Sequence, residues 1–266
     1  MPRDKRRVLE MAKDVVADLK RDYISKLLAK GIRADGRRFD EMRPLMVQTN
    51  YVGSAEGSAL VHLGDTKVVV GVKLILGEPF ADTPNTGVLT TNAELIPMAS
   101  ETFEGGPPDE ESIEVARVID RGIREGHAVD LENLVIEPGK QVWIMFVDVH
   151  VLDYDGNLFD AANIGANAAF KTAIVPAKAA GKGEDYPLPV RHQPISITAV
   201  KIDGKLLVDP THDEERVADA RLTVTTIENG NLCAMQKGLE GAFTLDEVFK
   251  VVDMSTKIGA EVRSRL

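Results

Sequence analysis

The longest strand signal in the chain constrains its fold more than any other feature. Residues Val142 to Leu152 read VWIMFVDVHVL, in which one Asp and one His interrupt the apolar residues. A mostly apolar run of this length predicts a long strand that is buried on both of its faces. The Asp155-Gly156 pair then turns the chain, and an Ala-rich helix is predicted from Asp160 to about Ala180, where Gly181 ends it.

Three pairs of predicted strands flank short turns, which indicates β-hairpins. The two hairpins in the last third of the chain turn at Asp203-Gly204 and at Asn229-Gly230. Both dipeptides favour the type I′ turn of a tight hairpin. The three hairpins are Ala59–Leu63 with Lys67–Leu76 around Gly64-Asp65, Ile195–Ile202 with Lys205–Val208, and Arg221–Ile227 with Leu232–Lys237.

An amphipathic helix is predicted at each end of the chain. The first covers residues 1–30 and ends at Gly31; it packs on its own domain or on a partner, or its basic face contacts nucleic acid directly. The second begins with the capping box Thr244-Leu245-Asp246-Glu247. The predicted inward residues are Val8, Met11, Val15, Leu19, Tyr23 and Leu27 in the first helix, and Val248, Val251, Val252, Ser255, Ile258 and Val262 in the second.

Helices therefore alternate with hairpins along the chain. This order predicts an α/β or mixed α+β fold in a single compact unit. Residues 31–266 are expected to form one domain after the N-terminal helix, with two lobes that meet near residue 150. The sequence contains no long linker and no repeat of 20–50 residues, which argues against separate modules.

Composition narrows the class of protein. No apolar run approaches the roughly 20 residues that cross a bilayer, so no membrane association is expected. The mixed-charge start lacks the apolar segment of a signal peptide, and Cys233 has no second cysteine to pair with. Both features predict a cytoplasmic protein. Taken at face value, the net charge of −10 argues against a protein that binds nucleic acid.

One basic cluster stands out in an otherwise acidic region. No Lys or Arg occurs from Leu74 to Ala116, and Arg117, Arg121 and Arg124 then follow within a predicted helix, Ile113 to about Glu125. At about 100° per residue, Arg121 lies about 40° from Arg117, and Arg124 lies about 20° from it on the other side. The three arginines therefore share one narrow helix face.

Two interpretations of this face remain open. The planar guanidinium of arginine donates two parallel hydrogen bonds to a phosphate, so three arginines one turn apart suit successive phosphates of a single strand. The alternative is a solvated surface on which Glu114 pairs with Arg117 and Asp120 pairs with Arg124.

Several other kinds of site are not expected because their motifs are missing. No G-x-G-x-x-G, complete Walker loop or G-x-S-x-G elbow occurs, and the five histidines form no pair at metal-ligand spacing. No cofactor, metal or catalytic nucleophile is therefore predicted. The acidic group from Asp209 to Glu215, with Asp219 beyond it, is either a solvated turn or a site for a hard cation or a catalytic acid.

Five segments occur in an order that is specific as a set, although no single segment is. They are Gly31–Arg37 (GIRADGR), Gly57–Val61 (GSALV), Glu101–Pro108 (ETFEGGPP), the arginine helix, and Ile136–Lys140 (IEPGK) followed by Trp143. Together they resemble the RNase PH-like subunits of the archaeal exosome, and the resemblance covers nearly the whole chain. It implies the RNase PH fold and a place in a ring that degrades RNA from its 3′ end.

The resemblance also implies which chemistry to look for. Catalytic members use phosphorolysis, in which inorganic phosphate attacks the terminal phosphodiester and releases a nucleoside diphosphate. Their phosphate cradle follows the central strand, as a Gly with Ser or Thr and Arg at a helix N-terminus. Here the matching segment, Asp155–Asp160, has neither hydroxyl nor Arg, and Asp160 is expected as an N-cap that repels phosphate.

A non-catalytic subunit is therefore the expectation from the resemblance. Val208–Glu215 is similar to the D-P-T-x-x-E-E segment of such subunits. Three of them alternate with three homologous catalytic RNase PH-like subunits in a hexameric ring of heterodimers, with RNA-binding cap subunits on one face. The expected role is to structure the partner's active site and to bind single-stranded RNA for 3′-to-5′ phosphorolytic degradation, with Arg117, Arg121 and Arg124 as the RNA contacts.

Two alternatives to this role remain open. The first is a self-sufficient phosphorolytic 3′-to-5′ exoribonuclease with an unusual phosphate cradle. The second is a pure scaffold subunit without RNA contact, in which the helix arginines bind the partner instead. Release of nucleoside diphosphate by the chain alone would identify the first, and the lack of crosslinks between the assembled ring and RNA would identify the second.

Overall fold

A buried helix separates the two main sheets of the protein. The computed structural model describes residues 19–266. Its strands are β1 (Leu45–Thr49), β2 (Gly57–Leu63), β3 (Thr66–Gly77), β4 (Val88–Leu95), β5 (Val135–Glu137), β6 (Gln141–Asp153), β7 (Ile174–Val175), β8 (Tyr186–Pro187), β9 (Ile195–Ile202), β10 (Lys205–Val208), β11 (Ala220–Thr226) and β12 (Leu232–Gly238). The first sheet has the order β1-β2-β3-β6-β4, with β5 beside β6, and the second has the order β10-β9-β11-β12. Only β4 and β6 pair in parallel in the first sheet.

Helices fill the space between and around these sheets. They are α1 (residues 19–29 of the described part), α2 (Glu110–Glu125), α3 (Leu158–Thr172), α4 (His212–Val217) and α5 (Leu245–Arg263), with a 3₁₀ helix at Leu131–Leu134. Helix α3 contacts β2 and β3 of the first sheet and β9 of the second, and its residues are buried as far as Phe170. Small residues permit this close packing: a Cβ on Gly165 would lie 2.6 Å from Val70 Cγ2. None of the helices in residues 19–266 is long and apolar enough to cross a membrane.

Strand β6 is present as predicted, but the prediction that both of its faces are buried is wrong. Val147 and Val149 are buried, whereas the alternating Asp148 and His150 are partly exposed. The reason is that α2 and α3, which pack against each other, cover only one face of the first sheet. Burial on both faces occurs instead in β9, because α3 and α5 both pack against it.

Helix α3 ends at Thr172 and not near Ala180 as predicted. Ile174 and Val175 leave the helix and pair with Tyr186 and Pro187 of β8. Pro176 explains the early stop, because a proline disfavours helical backbone at the preceding residue and cannot donate the next helical hydrogen bond.

All three predicted hairpins form, but only one of the two turns that were predicted to be type I′ has that geometry. Asp203 and Gly204 have φ values of 46° and 73°, as a type I′ turn requires. At the second turn Gly230 has a φ of 81° but Asn229 does not have a positive φ, so the type I′ prediction is wrong there. The loop is longer than two residues, since the Ile227 N–H donates to the Asn231 carbonyl at 3.1 Å.

The helix near the start of the chain packs on its own domain, but through a different face from the one predicted. Leu19 and Tyr23 are exposed, whereas Ile24 and Leu28 are buried against Val200, Ile202, Leu207 and Val217. Ion pairs from Lys20 and Arg21 of α1 hold the helix in this rotation. The predicted inward residues Val8, Met11 and Val15 lie outside the described residues.

The predicted end of α1 at Gly31 and the predicted capping box of α5 are both confirmed. Gly31 follows α1 with a φ of 75°, which favours glycine, and its N–H donates to the Leu28 carbonyl. At α5 the Thr244 hydroxyl accepts a hydrogen bond from the Glu247 N–H, and the Glu247 carboxylate accepts one from the Thr244 N–H. The division of the domain into two lobes near residue 150 stays a prediction.

Candidate functional site

The exposed face of α2 carries the three arginines together. Asp109 caps the helix by accepting a hydrogen bond from the Ser112 N–H at 2.8 Å, and an apolar stripe on the other side of the helix is buried. That burial turns the basic stripe towards the surface. We define the arginine groove as the cleft of ≈ 260 Å³ that is lined by Thr91, Ala116, Arg117, Asp120, Arg121, Arg124 and Glu125.

The three arginines differ in how firmly the protein itself engages them. Arg124 donates to both Asp120 oxygens at 3.0 and 3.1 Å and to the Leu89 carbonyl at 3.2 Å. Arg121 donates one hydrogen bond, to Gln236 Oε1 at 3.1 Å. The Arg117 guanidinium has no hydrogen bond or ion pair within residues 19–266. Free hydrogen-bonding capacity therefore increases from Arg124 to Arg117.

One of the two ion pairs expected on this helix forms and the other does not. Asp120 and Arg124 pair at 3.0 Å, as their spacing predicts. Glu114 pairs instead with Arg221 of β11, whose guanidinium also lies 4.3 Å from the Phe159 ring centroid. The expectation of a Glu114–Arg117 pair is therefore wrong, because the second sheet supplies a competing arginine that is less exposed.

Two carboxylates of the acidic segment after β10, Asp209 and Glu214, are buried and paired, so the alternative of a fully solvated turn is wrong. The Asp209 carboxylate is fully buried, and it accepts hydrogen bonds from Arg43 Nη2 at 2.8 Å and Arg37 Nη1 at 3.0 Å. Burial on its own raises the pKa of Asp209, but the hydrogen bonds and the charge of Arg43 outweigh it and hold the pKa below its ordinary value. Asp209 is therefore a buried anion with cationic partners.

A second buried ion pair involves Glu214 in the same segment. Its two carboxylate oxygens accept hydrogen bonds from Arg33 Nε at 2.9 Å and Arg33 Nη2 at 2.6 Å. Arg33 also donates to the carbonyl oxygens of Val208 and Asp209. The segments Gly31–Arg37 and Val208–Glu215 thus bind each other. Because the Asp209 and Glu214 carboxylates already accept hydrogen bonds from arginines, they are not available as ligands for a cation.

The N-terminus of α3 differs from the prediction. Its N-cap is Asn157, with a φ of 57°, and not Asp160. Asp160 lies in the first turn of the helix, fully buried, where it accepts hydrogen bonds from Thr198 N at 2.9 Å, Thr198 Oγ1 at 2.8 Å and Asn157 Nδ2 at 2.8 Å. The donors on Thr198 draw the carboxylate towards β9 and away from the helix end. Burial raises the pKa of Asp160 to about 7.

Glu215 occupies the place at this helix end where an anion would bind. Its Oε1 accepts a hydrogen bond from the Asn157 N–H at 2.9 Å, and its Oε2 accepts one from the Tyr154 hydroxyl at 2.7 Å. Burial raises the pKa of Glu215. Burial and then the neighbouring Glu215 charge also raise the pKa of Tyr154 above its ordinary value. One amide of the helix end that could receive a phosphate is therefore satisfied by the chain's own carboxylate.

These contacts limit the chemistry of the α3 N-terminus. The preceding turn is closed, because a Cβ on Gly156 would lie 2.5 Å from the Thr211 carbonyl carbon. The nearby Arg43 is already committed to Asp209 and to the Asp155 carbonyl. Within residues 19–266, no group of three or more His, Cys, Asp or Glu side chains has the arrangement of a metal site.

Sequence reasoning missed the residues that hold both regions in place. Arg33 belongs to a motif that was singled out, but its partner Glu214 lies 181 residues away. Arg43 lies outside every motif, and nothing in the sequence distinguishes Gln236 from the other residues of its hairpin strand. A buried arginine requires an acceptor, but no local pattern shows which of many acidic residues supplies it.

Family comparisons agree with this architecture. The model described as "3′ exoribonuclease family, domain 1" matches residues 41–176, and that described as "domain 2" matches residues 192–258. The chain belongs to the 3′ exoribonuclease (RNase PH) family. In this RNase PH chain, domain 1 holds the first sheet with α2 and α3, and domain 2 holds the second sheet.

Close relatives of this RNase PH chain are archaeal. It is 51% identical over 256 residues to the "Exosome complex component Rrp42" of Methanocella arvoryzae, which covers 96% of this chain and 98% of the relative. It is 53% identical over 261 residues to the protein of the same name from Thermococcus kodakarensis, which covers 95% of this chain and 96% of the relative.

Solved structures confirm the expected RNase PH fold. A chain of the structure described as the Archaeoglobus fulgidus exosome with RNA bound to the active site matches with a TM-score of 0.92 and 51% identity, over 94% of this chain and 99% of that one. A chain of an archaeal exosome core matches with a TM-score of 0.89 and 48% identity, over 96% of this chain and 98% of that one. Rice Rrp46 shares the fold alone, with a TM-score of 0.65 and 19% identity over 87% of this chain and 97% of that one.

Proposed function

We propose that this RNase PH chain is the non-catalytic ring subunit of an archaeal RNA exosome. In this role it structures the active site of a homologous catalytic partner and helps to bind RNA during 3′-to-5′ phosphorolysis. The observation that carries the proposal is the hydrogen bond from the Asn157 N–H to Glu215 at 2.9 Å. It fills the helix end at which a catalytic member would hold its phosphate.

The groups around the α3 N-terminus support the lack of catalysis. An inorganic phosphate that approached the α3 N-terminus would meet the carboxylates of Asp160, Asp209 and Glu215. Asn157 Nδ2 already bridges Asp160 and Asp209, at 2.8 and 2.7 Å. These carboxyl groups occupy the space at the helix end whatever their protonation state, and the Asn157 amide is already used, so both features oppose binding of a dianion.

The arginine groove supports the RNA-binding part of the role. Arg117 and the unused nitrogens of Arg121 keep donors for phosphate oxygens, and both side chains are exposed. Arginine suits this task because its fork matches a phosphate and keeps its charge at every physiological pH. The net charge of −10 does not oppose it, since binding requires only a local basic surface.

The relatives support the proposed assembly. Chains at 51–53% identity over nearly the full length are exosome components, so we assign this chain to a hexameric ring in which it alternates with a catalytic RNase PH-like subunit. The RNA-binding cap subunits lie on one face of that ring. The arginine groove then faces the strand that the partner degrades.

The test of catalysis compares the chain alone with the assembled ring. Each is incubated with 3′-labelled RNA and inorganic phosphate, and release of nucleoside diphosphate is measured. We expect release from the ring and none from the chain alone. Release from the chain alone that is abolished in Glu215→Gln or Asp213→Asn would contradict the proposal and identify a self-sufficient enzyme.

The test of RNA binding uses the salt dependence of affinity in the assembled ring without phosphate. Each phosphate contact contributes about 0.7 to the slope of log affinity against log salt for a single strand. Replacing Arg117 and Arg121 together with Ala should therefore flatten the slope by about 1.4. The control, Arg38→Ala with Lys182→Ala, removes the same charge from exposed positions outside the groove. An unchanged slope, with no crosslink from RNA to the chain, would leave only a scaffold role.

A further inference from the structure

A second cavity lies beside the arginine groove, at the C-terminal end of α2. It has a volume of ≈ 270 Å³ and lies between α2, β4 and the 3₁₀ helix. Its floor is apolar, with Leu89, Ile123 and Val129 all buried. The exposed side chains of His127 and Arg191 line its mouth. We refer to it as the end cavity. Its volume lies just below the roughly 300–1,000 Å³ of drug-sized pockets, which limits an occupant to something like a nucleobase.

The charges around the end cavity do not favour a phosphate. Arg191 pairs with Asp130 at 2.6 Å, and Arg124 pairs with Asp120 at 3.0 Å, so each cation is neutralised by a carboxylate. The wall that carries Arg191 is rigid, because the Arg191 N–H donates to the Ala128 carbonyl at 2.9 Å. The cavity therefore presents flat guanidinium surfaces without a net positive charge.

Two further groups at the mouth have hydrogen-bonding capacity to spare. Within residues 19–266, the side chains of His127 and Glu132 have no hydrogen bond or ion pair, and both are exposed. Proteins bind single-stranded bases by stacking them on His or Arg and by hydrogen-bonding their edges. A carboxylate such as Glu132 accepts a hydrogen bond from the amino group of a base. An apolar floor, two kinds of planar group and a free acceptor together fit a nucleobase.

The backbone at the end of α2 determines where the His127 side chain lies. His127 follows the end of α2 with a φ of 46°, in the left-handed region that favours glycine at this position. Gly126, one residue earlier, is needed for another reason, since a Cβ there would lie 2.5 Å from the Pro194 Cβ. His127 thus ends α2 in the left-handed conformation that is common after helices, and this backbone places its imidazole at the mouth of the cavity.

Arg124 connects the end cavity to the arginine groove, because it lines both. Its guanidinium is anchored to Asp120 on one side and to the Leu89 carbonyl on the other. Arg117 and His127 are ten positions apart, which is about 15 Å along the helix direction. A strand whose phosphates lie in the groove can therefore place a neighbouring base in the cavity.

We propose that the end cavity binds one nucleobase of the RNA strand whose phosphates lie in the arginine groove. The base stacks on His127 and the flat face of Arg124, and Glu132 accepts a hydrogen bond from its amino edge. The inference rests on the proposed RNA-binding function and adds a base-binding subsite to it. The same chemistry would suit the base of a free nucleoside diphosphate, and the experiment separates the two sources.

The experiment measures binding of fluorescein-labelled ten-adenosine RNA to the assembled ring without phosphate. The test variant is His127→Gly, which removes the imidazole and relieves the backbone. Its matched control is Leu239→Gly, at another exposed residue with a positive φ, 64°. The melting temperature of both should stay within about 2 °C of the parent, since relief of strain offsets the added chain entropy. We expect His127→Gly to lose about three- to tenfold in RNA affinity, as for loss of a weak base stack, and Leu239→Gly to lose none.

Combining changes in the RNA with the His127→Gly change then tests whether a base occupies the cavity. RNAs with a single abasic position are scanned along the strand, and one position should weaken binding to the parent ring but not to His127→Gly. Glu132→Gln should weaken binding of adenosine RNA less than His127→Gly does. If RNA affinity is unchanged in His127→Gly but direct binding of fluorescently labelled adenosine 5′-diphosphate is weakened, the source is the free nucleotide and the strand assignment is overturned.

Unchanged affinity of His127→Gly for both probes would overturn the base subsite altogether. The proposed function is tested separately in the same assay by Arg117→Ala with Arg121→Ala. If that variant weakens RNA binding while His127→Gly does not, only the end cavity is excluded. If neither variant has an effect, RNA binding by this subunit fails as well.

Discussion

The arginine groove and the N-terminus of α3 are both rich in charge, but they use it in opposite ways. In the groove, Arg117 has no partner within the described part of the chain and Arg121 has one. At the α3 N-terminus, the carboxylates of Asp160, Asp209 and Glu215 each accept at least two hydrogen bonds from the protein. The difference teaches that the number of charges in a region says little about binding. What matters is how many donors or acceptors the fold leaves unused.

The largest effect is expected from breaking a buried pair beside the closed site. Arg33→Ala would leave Glu214 as a buried charge without its partner, which costs about 3–5 kcal/mol of the free energy of unfolding. Urea denaturation followed by circular dichroism measures this loss. Arg38→Ala is the matched control, since Arg38 pairs with Asp40 at the surface and should leave the urea midpoint unchanged. A midpoint for Arg33→Ala equal to that of Arg38→Ala would show that the pair does not stabilise the fold.

A pH-dependent effect of smaller size is expected at Asp160. Its pKa of about 7 in the folded chain lies above 3.8, so the folded state binds more protons than the unfolded state between these values. The stability that Asp160 contributes is therefore fully present below about pH 4 and is lost as the pH rises through 7. Asp160→Asn cannot ionise, so we expect it to be more stable than the parent at pH 8, by up to about 4 kcal/mol. The gap should close towards pH 4.

Urea unfolding of the parent and of Asp160→Asn at pH 4.5, 6 and 8 checks this prediction. Glu215 and Asp209 remain in both proteins, so the difference between the two curves isolates Asp160. Asp253→Asn, at an exposed position of α5, should follow the parent at every pH. Parallel curves for the parent and Asp160→Asn would show that Asp160 binds protons equally in the folded and unfolded states over this range, so that its pKa is not raised by folding.

Local chemistry explains which parts of the fold could be predicted. The Asp203-Gly204 turn and the Thr244–Glu247 capping box depend on neighbouring residues, and both form as expected. The end of α3 at Thr172 has a local signal in Pro176, whereas the pairing of Ile174 with Pro187 that follows it spans a loop and has none. The buried face of α1 differs from the predicted one because Ile24 and Leu28 find apolar partners far along the chain, between Val200 and Val217.

In the candidate site, too, local features could be predicted and long-range partners could not. The shared face of the arginines follows from helix geometry, so it could be predicted, whereas their partners could not. Gln236 reaches Arg121 from β12, 115 residues away, and Arg221 takes Glu114 from 107 residues away. The sequence left open whether the acidic segment is a solvated turn or a site for a cation or a catalytic acid, and only the fold shows that Arg33 and Arg43 bind its Glu214 and Asp209.

Within the groove, Arg117 and Arg124 are expected to contribute differently to RNA binding. Arg117→Ala in the assembled ring should lower RNA affinity about five- to thirtyfold, as for one charge-assisted hydrogen bond, and should reduce the salt slope by about 0.7. Arg124→Ala should leave the salt slope nearly unchanged, because Asp120 already neutralises that arginine. Fluorescence anisotropy across a series of salt concentrations measures both. A slope change for Arg124→Ala as large as that for Arg117→Ala would show that the internal ion pair opens when RNA binds.

The smallest effect is expected at Gln236, which orients Arg121 without contacting the strand. Gln236 Oε1 accepts the Arg121 hydrogen bond at 3.1 Å at the surface, so Gln236→Ala should cost only about twofold in RNA affinity and should not change the salt slope. Gln236→Glu places a carboxylate at the same distance, which competes with phosphate for Arg121 and should flatten the slope. A larger loss in Gln236→Ala than in Gln236→Glu would mean that Gln236 positions Arg121 sterically, and that the charge available in the groove is not what limits binding.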